Sequence, residues 1–423
     1  GVKKRKKREK AEKARANKKR SSYLGDKKPT RRTIMNASDL LLDQWDRQVK
    51  EVFPQLHFYQ HQALAFVVQS IIQAGNAVMQ RVAEAAWEYL SHETKMVSHE
   101  RRLQRFIAND RIDVEACWKE FLPQVLPFWQ NKPATLILDL TPYTQEATIV
   151  YVGIVVQSRA LPVAWCVMPQ QERWDEGQWE IIGRLFEQVA QYLLSADCTL
   201  LADRGLSCLR LITLCKKVGW HYVLRIKTEE WVRRKFRHWY RDWEQGKQVV
   251  KKEGEQWYGQ VLLWQEHQFE TWLSACWEPG YDEPWVVVSD RCASHKRVRE
   301  YAMRMRVEST FQDTKGRGCL MECSRFTHRD HLNRWLFAVF LALWWMAHLG
   351  SSCIHHGHRE QLDRHDRRDK GLLRIGRLWL TAILKKANRD LRPATRSRVK
   401  AQLANCLPFS HRNQRLCFSI YLH

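Results

Sequence analysis

The chain has 423 residues, 44% of them hydrophobic, with 70 Lys and Arg against 46 Asp and Glu, a formal charge of +24. That length excludes a single ordinary core, since domains usually hold roughly 100–200 residues. The charge calls for a polyanionic partner, and nucleic acid is preferred over a membrane. The most apolar run, Leu336 to Leu349, falls short of the roughly 20 residues a spanning helix needs.

Residues 1–34 hold 16 Lys and Arg and three acidic residues, with too few apolar side chains to fold alone. A basic disordered arm is expected there. Met35 is the first methionine, so two readings stay open: a segment added ahead of a natural start, or a genuine DNA-binding or nuclear-import arm. The other 389 residues keep a surplus of 11 positive charges, so the body is basic without its arm. Twelve cysteines are scattered with no Cys-x-x-Cys pair, and no secretory signal is evident. This fits free thiols in a reducing cytosol.

Residues 35–130 are expected to form a helical DNA-binding domain. Leu40, Leu41, Trp45, Val49, Val52 and Phe53 recur at three- and four-residue steps, and 64–74 and 78–90 continue the pattern. Ser98 can cap a helix running to Ile107 with His99, Arg101, Arg102, Gln104 and Arg105 outward. That helix is either a recognition helix for a major groove or a solvated basic face.

At Pro133 the period changes. Runs 136–140, 147–156 and 160–167 read as strands, followed by a helix at 178–194, a strand at 199–203, a helix at 206–218 and a strand at 222–226. The order predicts an α/β fold with a mixed sheet and helices on its faces, the first part of a catalytic core over 131–227. Residues 228–290 contain eight of the 20 tryptophans and short strand-like runs at 249–250, 261–264 and 285–288. They predict a β-rich insertion with a small core of its own, its tryptophans mostly packing residues and some available to stack on bases. Helical patterning returns over 294–315 and 330–349, completing the core over 291–350. Residues 351–423 read as a helical C-terminal region opened by a His/Arg/Asp-rich linker that includes His355, His356 and His358.

Asp139 stands inside the apolar run Leu136-Ile-Leu-Asp-Leu, and Asp203 ends the run Leu200-Leu-Ala-Asp-Arg-Gly. A carboxylate inside an apolar strand is costly unless paired or metal-bound, and strand ends in such sheets commonly carry sites. Singly, each Asp reads as structural, a buried acceptor or a helix cap. The third element changes that. Tyr301, Arg304, Glu308 and Lys315 lie at offsets 0, 3, 7 and 14, which at about 3.6 residues per turn places them on one stripe. A surface Arg304–Glu308 pair would be in the less favourable order and would explain neither Tyr301 nor Lys315. Two strand aspartates and one helix glutamate suit a pair of Mg²⁺ ions, with Mn²⁺ as a substitute, clamping the attacking and leaving oxygens of a phosphodiester. Arg304 and Lys315 would then grip the neighbouring phosphates.

The pattern Tyr-x2-Arg-x3-Glu-x6-Lys resembles the YREK signature of a family of bacterial insertion-sequence transposases, those of the insertion-sequence family four type. The resemblance covers about residues 130–350, including the 105-residue interval from Asp203 to Glu308, Lys315-Gly-Arg-Gly and Glu322-Cys-Ser-Arg. It implies an RNase H-like fold with Asp139, Asp203 and Glu308 as the DDE triad. It also implies a cut-and-paste route through a DNA hairpin, carried out by a homodimer in a synaptic complex with terminal inverted repeats and target DNA, in the cytoplasm at the bacterial nucleoid. Tyr301, Arg304 and Lys315 would hold end phosphates. Trp285 would stack on a flipped base, the other reading being a core residue. A Mg²⁺-dependent nuclease or resolvase of the same fold, and a catalytically silent DNA-binding descendant, are the alternatives. Cys319, Cys323, His328 and His331 hold zinc-ligand types, but Cys-x3-Cys-x4-His-x2-His leaves little chain to wrap a tetrahedral ion.

Overall fold

The computed structural model describes residues 36–90, 94–143, 147–157, 159–169, 177–308, 310, 326, 328–366, 368 and 370–409. The residues from Ala37 onward form one compact unit. Helices α1 (Ala37–Val52), α2 (Phe58–Ala74), α3 (Met79–Tyr89), α4 (Met96–Ile107) and α5 (Val114–Val125) come first. The periodic residues Leu40, Leu41, Trp45, Val49 and Val52 are all buried on α1. Two polar contacts tie α1 to α2: the Gln69 amide donates to the Ser38 carbonyl at 2.8 Å, and His61 meets Asp46 at 2.6 Å.

Helix α4 departs from expectation on one side. Arg101, Gln104 and Arg105 are exposed, but His99 is buried and stacks on Phe66 with centroids 5.6 Å apart. Arg102 also turns inward. Its guanidinium lies 3.9 Å from the Phe66 ring centroid and donates to the Gln62 carbonyl at 3.2 Å. An aromatic face offers a partly buried guanidinium a cation–π partner, and that contact competes successfully with solvent here.

The sheet begins with β1 (Pro133–Pro142), β2 (Ala147–Val156) and β3 (Arg159–Pro169), joined antiparallel. After α6 (Gln178–Ala190), β4 (Asp197–Ala202) lies parallel to β1. After α7 (Leu209–Lys217), β5 (His221–Arg225) lies parallel to β4. The resulting order, β3-β2-β1-β4-β5, is that of an RNase H-like core. Strand β4 is buried at five consecutive positions, as expected where helices cover both faces.

The following segment supplies β6 (Trp231–Phe236), β7 (Trp239–Tyr240), β8 (Glu244–Gln245), β9 (Gln256–Leu263), β10 (Phe269–Cys276) and β11 (Trp285–Ser289). It is β-rich, but it does not stand apart on its own core. Strand β11 pairs antiparallel with β5, and the order continues β11-β10-β9-β6-β7 with β8 on β6, one sheet of eleven strands. Val249 and Val250 are buried in a turn after a short 3₁₀ segment and form no strand.

Helix α8 (His295–Ala302) is followed by a turn at 303–304 and renewed helix at 305–308. Helices α9 (Arg329–His355), α10 (Leu372–Asp390) and α11 (Arg396–Ala404) complete the described chain. At 27 residues, α9 is longer than the apolar run that announced it and passes a length-and-hydropathy test for a membrane span. Yet 89% of its apolar window is buried inside the fold. His355 ends α9, and His358 stacks on Trp379 at 4.8 Å, so this stretch is packed as well as connecting.

Indole N–H groups tie the layers together. A β-bulge sits opposite Gly153, and the nearby carbonyls of Val163 and Pro162 accept from Trp118 and Trp344 at 2.7 and 2.8 Å. The edge strand β3 is thereby covered and its bulge satisfied. Trp335 and Trp345 likewise donate to the Ala77 and Cys406 carbonyls at 3.0 and 2.7 Å.

Helices α9 and α10 cross at two glycines. A Cβ on Gly376 would lie 1.9 Å from the Met346 carbonyl oxygen, and one on Gly350 would lie 2.3 Å from that of Leu372. Both obstacles are backbone and cannot swing aside. Gly376→Ala should therefore lower stability by about 1–3 kcal/mol through overpacking, more than the roughly 0.5–1 kcal/mol that Ala contributes to a helix. Urea denaturation checks the sign: an unchanged or raised midpoint would show that the two helices can separate at no cost.

Candidate active site

The two aspartates become neighbours through strand register. Leu138 of β1 pairs with Ala202 of β4 in the parallel ladder, so Asp139 and Asp203 are the next residues of adjoining strands. Asp203 follows β4 directly and begins a 3₁₀ turn over Arg204–Leu206, but its side chain makes no capping bond. The helix-cap reading of this residue is therefore set aside. Asp139 faces a cluster rather than an apolar wall, and it accepts a short hydrogen bond from the Thr141 hydroxyl.

Glu308 arrives from the other direction. In place of one continuous helix over 294–315, the N–H groups of Met303, Arg304, Arg306 and Val307 bond three residues back at 2.9–3.1 Å. This 3₁₀ winding tightens the turn between α8 and the helical residues 305–308. Thr310 anchors the end of this segment: its hydroxyl accepts the Ala160 N–H of β3 at 2.8 Å.

Arg304 lies between the three carboxylates. Its Nη1 is 3.4 Å from Asp139 Oδ1, while its Nη2 is 2.9 Å from Glu308 Oε1 and 3.6 Å from Asp203 Oδ1. The guanidinium side chain is only 13% exposed, Asp139 is 17% exposed, and Asp203 and Glu308 are nearly half exposed. The predicted triad thus converges around one cation, supplied by the protein itself. Three carboxylates around a positive charge, two of them open to solvent, form a donor set suited to hard divalent ions.

Burial pushes the Asp139 carboxyl above its ordinary range. The Thr141 hydrogen bond and the Arg304 charge pull it back only in part, and Asp203 and Glu308 push it further up. Burial also works against the charge of Arg304, but Tyr301 and the three carboxylates outweigh it and leave its pKa above the usual value. The Tyr301 hydroxyl is pushed up to about 12, chiefly by burial, so it remains a proton donor at neutral pH.

Beside the triad runs a groove lined by Arg204, Arg225 and Lys227, by the carboxylates Glu229, Asp282 and Glu283, and by Tyr281, Trp285 and Met305. Trp285 is half-buried, with its ring edge-on to Tyr301 at 5.6 Å, against Tyr281 at 5.6 Å and near the Arg225 guanidinium at 5.4 Å. Glu283 holds Arg204 and Arg225 at 2.7 and 2.6 Å. Arg204, Arg225 and Lys227 were not singled out from the sequence, although Arg204 directly follows Asp203. Lys315, Cys319 and Cys323 lie outside the described residues. Among the described residues, no ion pair joins Arg101 or Arg105 to the triad, and Arg102 is engaged with Phe66.

Residues 180–345 match the family described as the transposase DDE domain. This stretch of the chain is similar to a DDE transposase domain. The matched stretch contains Asp203, Arg304 and Glu308 and begins after Asp139. A search of curated proteins found no match. The transposase domain makes this a DNA-acting enzyme that cleaves and transesterifies phosphodiesters, in a class that works with divalent metal ions.

The raised pKa of Asp139 gives a pH dependence of known sign. Metal binding needs the ionised carboxylate, and the Thr141 bond favours ionisation. Thr141→Val should therefore move the acidic limb of Mn²⁺ binding to higher pH with little change above neutrality. A limb that stays in place would remove Thr141 from the site's electrostatics.

Proposed function

We propose that this transposase is a cut-and-paste enzyme of the YREK-signature insertion-sequence type. It binds the terminal inverted repeats of its element as a homodimer, releases the ends through a hairpin, and joins 3′-hydroxyls to target DNA. The observation that carries the reading is the convergence of Asp139, Asp203 and Glu308 on the Arg304 guanidinium. A site that holds a cation by three carboxylates is the arrangement that two-metal phosphodiester chemistry requires.

In this reading Asp139, Asp203 and Glu308 would hold two Mg²⁺ ions, whose charge would stabilise the scissile phosphate and acidify its attacker. The remaining work falls to the chain. Arg304 leaves the carboxylates and donates its planar fork to a phosphate, a bidentate geometry that guanidinium offers and ammonium does not. Tyr301, protonated and buried beside it, donates to a neighbouring phosphate oxygen. Arg204, Arg225 and Lys227 track the backbone along the groove, and Trp285 stacks on a base extruded as the strand tightens into a hairpin. Lys315 continues the signature as a further phosphate contact. Arg101 and Arg105, exposed on α4, engage the repeat away from the cut, and Arg102 is withdrawn from that role by its Phe66 contact.

An excision reaction tests the route. Purified protein, a duplex carrying the element's end and Mg²⁺ should yield a nick, then a hairpin, then a joined product on a denaturing gel. Glu308→Gln should abolish all three while leaving end binding nearly intact. Nicks without hairpin or joining would assign a nuclease, and specific binding without cleavage in Mg²⁺ or Mn²⁺ would assign a silent descendant.

Arg304→Ala should separate two roles. Without DNA it should bind Mn²⁺ more tightly than wild type, because the competing internal cation is gone. With DNA it should bind the cleavage site more weakly and cut more slowly. Unchanged Mn²⁺ affinity would show that the guanidinium does not compete for the site.

A further inference from the structure

Among the described residues, one group of three possible metal-binding side chains has its ligand atoms all within 4.8 Å of one another, and it is not the triad. It comprises Cys276, Glu278 and His295. Cys276 is the last residue of β10, Glu278 lies two residues on in the loop to β11, and His295 is the first residue of α8. We propose that these three side chains bind a zinc ion that staples the β10–β11 loop to the start of α8.

The donor set selects the metal. A thiolate, an imidazole and a carboxylate suit Zn²⁺, which accepts sulfur, nitrogen and oxygen in a tetrahedron and tolerates a solvent molecule in the fourth position. Mg²⁺ and Ca²⁺ prefer all-oxygen sites. Cys276 is 1% exposed, whereas Glu278 and His295 are 48% and 34% exposed on their side chains. The sulfur thus forms the floor of the site and the other two ligands its mouth.

The simpler reading is a surface pair, since His295 Nε2 lies 3.0 Å from Glu278 Oε1. Such exposed pairs contribute little, and the pair does not account for a buried sulfur at the same point. The backbone around the site is also fixed. The Trp277 N–H and carbonyl bond to Glu255 and Gly254 at 3.1 and 2.7 Å, and the Ser294 N–H donates to the Ser274 hydroxyl at 3.0 Å. Ligands held on rigid elements need little ordering on binding. On metal binding the Cys276 thiol releases its proton to solvent and the thiolate bonds the ion, with no redox change.

The site's position gives it a role. Cys276 pairs with Trp285 across the β10–β11 ladder. The loop between them carries Tyr281, which packs on Trp285, and Glu283, which holds Arg204 and Arg225. A zinc ion at the loop's base would order these groove residues without touching the triad.

The test uses the full chain, stripped of metal and titrated with Zn²⁺ against a chromophoric chelator, and separately with Co²⁺. One equivalent of Zn²⁺ should bind in the presence of millimolar Mg²⁺, and Co²⁺ should give a thiolate-to-metal charge-transfer band. Cys276→Ser should abolish the band, and His295→Gln should weaken Zn²⁺ at least about tenfold, since even outer-shell ligand partners contribute that much. Asp203→Asn should leave both unchanged, which separates this site from the triad. No thiolate band, a band that persists in Cys276→Ser, or Zn²⁺ uptake that depends on Asp203 and not on His295, would each overturn the proposal. If Cys276→Ser fails to fold by circular dichroism, Glu278→Gln and His295→Gln, on the exposed side, decide the matter by the same band and affinity.

Discussion

Three carboxylates brought to one end of a sheet repel one another, and the three strand and helix segments that carry them are all distant in sequence. The Arg304 guanidinium makes the assembly tenable, reaching Asp139, Asp203 and Glu308 from a single planar group. Asp139, the most buried of the three, requires an internal counter-ion, and the tightened turn at 303–304 presents one. The same contact offsets part of the negative charge of the resting site. In the function proposed above, the carboxylates would hold divalent ions in place of the arginine, which would turn to a DNA phosphate.

The scaffold beneath is fixed by hydrogen bonds that run between layers. The parallel register of β1 and β4 places the aspartates, and the Thr310–Ala160 bond places the glutamate. Helix α9 forms the common wall: Trp335 and Trp344 reach from it to Ala77 and Pro162, so the N-terminal helices and the edge of the catalytic sheet share one support. The near-contact of Gly376 with the Met346 carbonyl brings α10 in as the next layer. Geometry at the site therefore depends on packing contributed by segments on both sides of the matched stretch 180–345.

Much of this was legible from the sequence wherever local chemistry decided the structure. Leu-Leu-Ala-Asp-Arg-Gly announces a buried strand ending in a carboxylate, and the spacing of Tyr301, Arg304 and Glu308 announces a shared side. Long-range competition was not legible. Arg102 and His99 belong to a basic amphipathic pattern and read as outward, but Phe66, from another helix, draws both in. Arg304 reads as a phosphate ligand, yet the Arg304–Glu308 pair set aside for its order does form, at 2.9 Å, and only the folded arrangement adds Asp139 and Asp203 to it. The break after Ala302 carries no Gly or Pro to mark it. In the insertion, Trp231-Val-Arg-Arg-Lys-Phe is too charged to stand out as a strand, and Val249-Val250 is apolar without being one. The pairing of β11 with β5 is a matter of register between distant segments, which no local pattern encodes.

That last pairing has a mechanical consequence. Because β5 hydrogen-bonds to β4 on one side and to β11 on the other, the insertion is not a hinged flap. It is a stiff continuation of the same ladder that ends in Asp203. Trp285 and the strand aspartates are therefore carried on one hydrogen-bonded ladder, and in the function proposed above, DNA bound across them would have to conform to that span.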